Sequence, residues 1–125
     1  MTHALLRIAA GLFFLLHGGQ KLLGWFRAED APAGDLPPMM MIAGILELFG
    51  GLAILLGLFT RPIAFLLSGE MAVAYFMTHV PNGGIWPIQN RGEAAALFCF
   101  IFFFLFGNGA GPWSLDQMMR RKRTV

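Results

Sequence analysis

The sequence contains little cysteine and little charge. It has one cysteine, Cys99, among 125 residues, which excludes a disulfide within the chain and an internal dithiol redox pair. Charged residues make up 13% of the chain, whereas average usage in soluble domains is about 25%. The chain also has no CxxC pair, phosphate-binding loop, nucleophile elbow or metal-ligand spacing. No catalytic residue and no metal site are predicted from these patterns.

Apolar residues make up most of the chain. Hydrophobic residues account for 57% of it, with 13 Phe and 8 Met, and the mean hydropathy is +0.65. Most of the net charge of +2 comes from one basic run at 120–123, which is typical of membrane topology and anionic lipid rather than of nucleic acid binding. We therefore expect one membrane domain whose surroundings are the lipid bilayer, with no nucleic acid partner.

Four apolar segments predict an all-α, antiparallel, integral membrane four-helix bundle. The turn Thr60-Arg61-Pro62 is short enough to force the second and third segments into a hairpin. Pro81-Asn82-Gly83-Gly84 should end the third segment, and Ser114 should cap a short surface segment. The fourth helix is short for a span. The expected helices cover about 4–23, 39–59, 63–79 and 91–106, and the basic surface segment covers 114–125.

The first segment has a second interpretation, as a signal peptide, because Arg7 precedes an apolar core. His17, Gln20 and Lys21 follow that core without an Ala-x-Ala cleavage site, and the segment is long enough to span. A membrane helix is therefore favoured. The loop that follows, 24–38, is net acidic and long enough to cap one end of the bundle.

Basic residues in the short loops predict the orientation of the chain. An even number of spans places both termini on one side, together with Arg7, Arg61 and the run at 120–123. The other side has fewer basic residues: Lys21, Arg27 and Arg91. We therefore expect both termini in the cytoplasm and the chain in the bacterial cytoplasmic (inner) membrane.

Glu47 is the one polar residue in the run from Met39 to Phe59. Its carboxylate should lie about 12 Å inside the nearer end of that helix, where an isolated charge costs at least ~2.5 kcal/mol. It should therefore be neutralised or paired with another helix. Ala43, Glu47 and Gly51 share one stripe, and small residues let helix backbones approach closely in lipid. We expect this stripe to face the interior of the bundle.

Each of the other predicted helices also places an ionisable group in the same outer half of the bundle. His17 or Lys21 could pair with Glu47 by charge, and Glu70 or Glu93 through a shared proton. Simpler roles exist for some: Lys21 can reach the interface, and Glu93 can favour a helix N-terminus. A haem held by His17 and His79 is a further alternative, which no other residue supports. The candidate pocket residues are His17, Lys21, Glu47, Glu70 and Glu93, with Gln20, Tyr75, His79 and Arg91 as a second group.

The motifs that contain these residues resemble the DoxX family of membrane proteins. They are LLRIAAGLFFLLHGGQKLLGWF near the start, ELFGGLAILLGLFTR in the middle, AYFMTHVPNGG with NRGEAAALF further on, and GPWSLD near the end. The resemblance implies a four-helix membrane fold and an association with redox systems, one branch being similar to the membrane subunit of thiosulfate:quinone oxidoreductase. By this resemblance, the polar site positions of the family correspond to His17, Lys21, Glu47 and Glu93, and also to Glu70.

We therefore expect a membrane subunit of a quinone-linked redox system, with a pocket for a quinone or similar amphiphile and no covalently bound cofactor. A quinone takes up two protons with its two electrons, so it needs titratable groups near its oxygens. A soluble or membrane oxidoreductase would supply the electrons, and a homo-oligomer is a further expectation. The alternatives are a non-catalytic scaffold or assembly factor for an oxidoreductase complex and, third, a small transporter or proton path through Glu47 and Glu70.

Overall fold

The computed structural model describes residues 1–26, 29 and 36–124, and the regular structure within them is helical. A π-helical turn, Tyr75–His79, joins the helices Thr60–Ala74 and Val80–Gly83, so that Thr60–Gly83 forms one continuous rod. The predicted all-α class is confirmed. The helices are α1 (Thr2–Leu23), α2 (Pro38–Leu56), α3 (Thr60–Ala74), α4 (Val80–Gly83), α5 (Pro87–Asn90), α6 (Glu93–Asn108) and α7 (Leu115–Arg123).

Among the described residues, three helices are long and apolar enough to cross a membrane: α1 with 22 residues, α2 with 19 and the Thr60–Gly83 rod with 24. At 1.5 Å per residue, the shortest of these reaches about 28 Å, close to the thickness of the hydrocarbon layer. The fourth apolar helix, α6, has 16 residues. The predicted cap formed by the acidic loop 24–38 lies largely outside the described residues.

The predicted hairpin turn is displaced by three residues. α2 ends at Leu56 instead of Phe59, because Gly57 adopts the left-handed conformation (φ 69°) that closes a helix. The N–H of Leu58 then donates to the carbonyl oxygen of Ala53 at 2.9 Å. Thr60 begins α3, so Pro62 lies in the first turn. Backbone N–H groups in a first turn have no partner within the helix, so the lack of an N–H in Pro62 costs no helical hydrogen bond.

The boundaries further along also differ from the prediction. The Thr60–Gly83 rod, which corresponds to the third predicted helix, runs to Gly83 instead of 79, and the positive φ of Gly84 (89°) marks its end. α6 begins at Glu93 instead of 91 because Arg91 is left-handed, with φ 59°, and therefore cannot continue a helix. At the far end Ser114 caps α7 as predicted, since its Oγ accepts a bond from the N–H of Gln117 at 3.2 Å.

Glycines allow α1 and α2 to pack against each other at very short range. A Cβ on Gly11 would lie 2.4 Å from the backbone nitrogen of Leu55, and one on Gly51 would lie 2.4 Å from that of Leu15. Gly18 faces Leu48 in the same way. The pairing of low numbers with high ones shows that α1 and α2 are antiparallel. The predicted small-residue stripe of α2 therefore faces α1.

The Thr60–Gly83 rod packs mainly on α6, and the two are also antiparallel. The Ser68 hydroxyl donates to the carbonyl oxygen of Cys99 at 2.9 Å, which supplies a partner for a buried polar group. Cys99 itself packs partly buried beside the apolar core. Phe14 links the two helix pairs, since its ring meets those of Phe98 and Phe102 edge to face.

Arg7 holds together the end of the bundle where α1 begins. Its side chain is fully buried and donates to the carbonyl oxygens of residues 47 to 106 positions away in the chain, at 2.6–3.3 Å. The prediction treated Arg7 only as a charge that orients the chain, and its structural role was missed. The five acceptors are the carbonyl oxygens of Ile54, Leu55, Ala110, Pro112 and Trp113.

Candidate functional site

A cavity of about 540 Å³ lies between α1, α2, the Thr60–Gly83 rod and α6. It is at the end of the bundle where α1 finishes and α2 begins, opposite the end that Arg7 holds. Its volume falls within the range of about 300–1,000 Å³ that is usual for small-molecule sites. Four of the five main candidates line it, together with two of the second group: His17, Lys21, Glu47, Glu70, His79 and Arg91.

Lys21 and Glu47 form an ion pair on the wall of this cavity. The Lys21 Nζ lies 2.6 Å from Glu47 Oε1, and the two side chains are 26% and 4% exposed. Of the two predicted outcomes for Glu47, neutralisation or a partner from another helix, the structure shows the partner. Local sequence favours this contact twice. Lys21 lies in the last turn of α1, where the helix dipole favours a cation, and Gly44 has no side chain to push α2 away from Lys21 and Leu22.

Glu70 faces the same cavity from α3. Both of its carboxyl oxygens are buried, as is Glu47 Oε2, and none of the three has a hydrogen-bond partner within the described parts of the chain. The charges of Glu47 and Lys21 both act on the Glu70 carboxyl group. Since buried polar atoms are nearly always hydrogen-bonded, these three oxygens need polar hydrogen from a proton shared between the two carboxyl groups, from water or from a ligand.

The rim of the cavity is arranged by Asn90, which the sequence did not single out. The Asn90 side chain is buried, donates to the carbonyl oxygen of Gly84 at 2.8 Å and accepts from the N–H of Gly92 at 2.8 Å. Its backbone oxygen lies 3.2 Å from His79 Nδ1. Asn90 thus holds His79 and Arg91 at the mouth. Its position between Gln89 and Arg91 in a Pro/Gly-containing loop was the available signal.

Three of the predicted residues lie elsewhere. Glu93 is exposed in the first turn of α6 and does not line the cavity. Gln20 lines an adjoining groove, which shares His17 and Phe98 with the cavity but does not bring Gln20 into it. Tyr75 is buried, and its hydroxyl donates to the carbonyl oxygen of Ile85. The difference for Glu93 has a local cause, because α6 begins only after the left-handed Arg91 and directs the first turn outward.

The apolar walls of the cavity reach the lipid-facing surface between α2 and α3. Met39 and Met77 line it although they are 60% and 57% exposed. Met40, Ile42 and Val73 are likewise both exposed and part of the lining. Methionine side chains are flexible and adapt to varied apolar ligands. The cavity is therefore amphipathic, with a polar floor and an apolar mouth.

The parts of the chain that the structure describes hold no group of three or more His, Cys, Asp or Glu side chains placed to bind a metal ion. His17 and His79 line the cavity from different helices. His17 is exposed and meets the ring of Phe14 edge to face, with a centroid distance of 6.5 Å.

Comparison with known proteins gives consistent matches. A family model described as DoxX matches residues 2–80. The chain is 41% identical to an uncharacterised protein of Haemophilus influenzae, over 95% of this chain and 91% of that one. It is 29% identical to an uncharacterised membrane protein of Mycobacterium tuberculosis, over 96% and 82%. It is 27% identical to the inner membrane protein YqjF of Escherichia coli, over 93% and 90%. No solved structure matches.

These matches and the helices agree. Two of the Escherichia coli relatives are named inner membrane proteins, and three helices of this chain have the length and composition of membrane spans. The chain is a multi-pass inner-membrane protein surrounded by the lipid bilayer. The family model covers more than half of its length, and the chain belongs to the DoxX family.

Proposed function

We propose that the cavity binds a quinone or a similar amphiphile that enters from the bilayer, and that the chain serves as a membrane subunit of a quinone-linked redox system. One observation supports the proposal: three buried carboxyl oxygens, which have no hydrogen-bond partner in the described part of the chain, lie at the floor of a cavity whose mouth is apolar and exposed to lipid. A ligand that matches it has a polar head and an apolar tail.

The chain's own residues fit such a head group. Lys21 is held by Glu47 with its ammonium group at the polar wall, where it can donate to a ligand oxygen. Both carboxyl oxygens of Glu70 are buried and meet no hydrogen-bond donor among the described residues, so Glu70 can exchange a proton with a ligand within reach. A bound quinone supplies two-electron, two-proton chemistry. The chain has one cysteine and no cofactor motif, so in this proposal a soluble or membrane oxidoreductase partner supplies the electrons.

The test is mass spectrometry of the lipids that are extracted with gently purified protein. The informative variant is Glu70→Gln, because it removes the carboxyl group without breaking the Lys21–Glu47 pair. Glu93→Gln is the matched control, since it makes the same change at an exposed position outside the cavity. We expect quinone to be enriched over bulk membrane in the wild type and in Glu93→Gln, and to be lost in Glu70→Gln.

Two results would refute the proposal. One is a wild-type protein without quinone enrichment, which would favour a non-catalytic scaffold for an oxidoreductase complex. The other is equal loss in Glu70→Gln and Glu93→Gln, which would show that charge and not the cavity controls the association. Far-UV circular dichroism of each variant checks that the helices are retained.

We further propose that α1, α2, the Thr60–Gly83 rod and α6 all cross the membrane, with both termini in the cytoplasm. His3 Nε2 lies 2.8 Å from the carbonyl oxygen of Gly109, which supports placing the start of α1 and the segment after α6 at one end of the bundle. That end also holds the exposed basic residues of α7. A reporter fused to the C-terminus that is active only in the cytoplasm should be active, and an inactive one would reverse the orientation.

A further inference from the structure

A second cavity lies at the opposite end of the bundle, between the α2–α3 turn and α7. Its volume is about 550 Å³. It shares no lining residue with the cavity described above. Four cationic side chains line it, and all four are exposed: Arg61, Arg120, Lys122 and Arg123.

The acidic residue on this wall, Asp116, is already engaged. Its two carboxyl oxygens accept the N–H groups of Phe59 and Thr60 at 2.8 and 2.9 Å, so it caps the start of α3. The N–H of Asp116 also donates to the carbonyl oxygen of Gly57 at 2.9 Å, which fixes α7 against the turn. The lining therefore carries four cationic side chains and one carboxylate, and the carboxylate already accepts two backbone N–H groups.

A buried hydroxyl on the wall gives an independent indication of a ligand. Thr60 is fully buried, lines this cavity, and its Oγ1 has no hydrogen-bond partner among the described residues. Arg61 donates to the carbonyl oxygen of Gly107 at 3.1 Å, which holds its guanidinium group beside the cavity. An anion with several oxygens could take bonds from the hydroxyl and from the guanidinium groups together.

The same cavity borders the apolar surface. Phe59 lines it and is 61% exposed. Phe65, which lies further along α3, is also exposed and packs on Phe106. A ligand seated here can place a charged group against the arginines and an apolar chain along the aromatic side chains. A free anion would use only the first of these surfaces.

We propose that this cavity binds the head group of an anionic phospholipid, with its phosphate against Arg61, Arg120 and Arg123 and its chain along Phe59. The site is independent of the proposed quinone cavity. It would hold α7 on the membrane surface and tie the α2–α3 turn to lipid.

α7 itself offers a matched control. Arg121 lies on the other side of the helix, beside Leu55 and Trp113, and does not line the cavity. Arg120→Gln, Arg123→Gln and Arg121→Gln therefore each remove one exposed charge from one helix, but only the first two change the cavity. Attraction of the whole helix to an anionic surface would be weakened equally in all three.

The experiment is native mass spectrometry of detergent-purified full-length protein mixed with equal amounts of phosphatidylglycerol and phosphatidylcholine. We expect phosphatidylglycerol adducts to dominate in the wild type, to fall roughly fivefold in Arg120→Gln and Arg123→Gln, and to persist in Arg121→Gln. The proposal is overturned if all three variants lose the adducts equally, if none does, or if the wild type shows no preference. Displacement of the lipid by millimolar inorganic phosphate would also overturn it, in favour of a free-anion site.

Discussion

Replacing Gly11 with alanine should force α1 and α2 apart. The added Cβ would lie 2.4 Å from the backbone nitrogen of Leu55 and 2.9 Å from the carbonyl oxygen of Gly51, whereas ordinary contacts begin near 3.4 Å. Both obstructing atoms belong to the backbone of α2, so a side-chain rotation cannot make room. The helices must separate by up to about 1 Å at this point, or α2 must bend.

The size of the effect follows from two opposing terms. Over-packing of a close interface destabilises a protein by about 1–3 kcal/mol. The higher helix propensity of alanine offsets about 1 kcal/mol of this at most. With the full offset, we expect Gly11→Ala to lower the free energy of unfolding by up to about 2 kcal/mol.

Gly69 provides the control. It is an exposed glycine in the middle of α3, and a Cβ added there would meet nothing within 4 Å. Gly69→Ala has the same change in propensity without the collision, so its stability should be equal to or slightly above that of the wild type. Unfolding by SDS titration in mixed micelles, followed by circular dichroism, measures both variants. Equal unfolding midpoints for Gly11→Ala and Gly69→Ala would refute the close-contact argument.

A second substitution makes the reasoning stricter. Gly51→Ala should be as damaging as Gly11→Ala, because its Cβ would lie 2.4 Å from the backbone nitrogen of Leu15. The two positions face each other, so the second alanine should be less destabilising once the first has separated the helices. The double variant should therefore lose less unfolding free energy than the sum of the losses in the two single variants. Strict additivity would contradict a shared interface.

Two further predictions concern buried charges. Arg7→Lys should lower the unfolding free energy by about 3 kcal/mol or more, because an ammonium group cannot reach all five carbonyl oxygens that the guanidinium binds; an unchanged SDS midpoint would contradict this. Lys21→Gln should destabilise by less than the roughly 3–5 kcal/mol of a fully buried pair, since Lys21 is 26% exposed. Adding Glu47→Gln should restore part of the loss, and a double variant as unstable as Lys21→Gln alone would count against the pair.

The candidate site was only partly accessible from the sequence. Glu47 was predicted to need a partner because a carboxylate inside an apolar span is costly wherever the neighbouring helices lie. The identity of the partner depended on how α1 and α2 align, which put Lys21 2.6 Å away. Glu93 was placed in the same group by its membrane depth and by the family resemblance. Depth does not determine which way a side chain points, and the left-handed Arg91 directs it outward.

Local patterns and tertiary contacts thus determined different properties of this protein. The sequence alone determined the helical class, the apolar segments and the Ser114 cap, because each depends on the residue types within a few positions. It could not show that Arg7 is buried, since its acceptors are up to 106 residues away. The burial of Arg7, the joining of Lys21 to Glu47 and the opening of the cavity towards lipid were decided by the packing of separate helices. Those contacts depend on relative helix position, which no local pattern specifies.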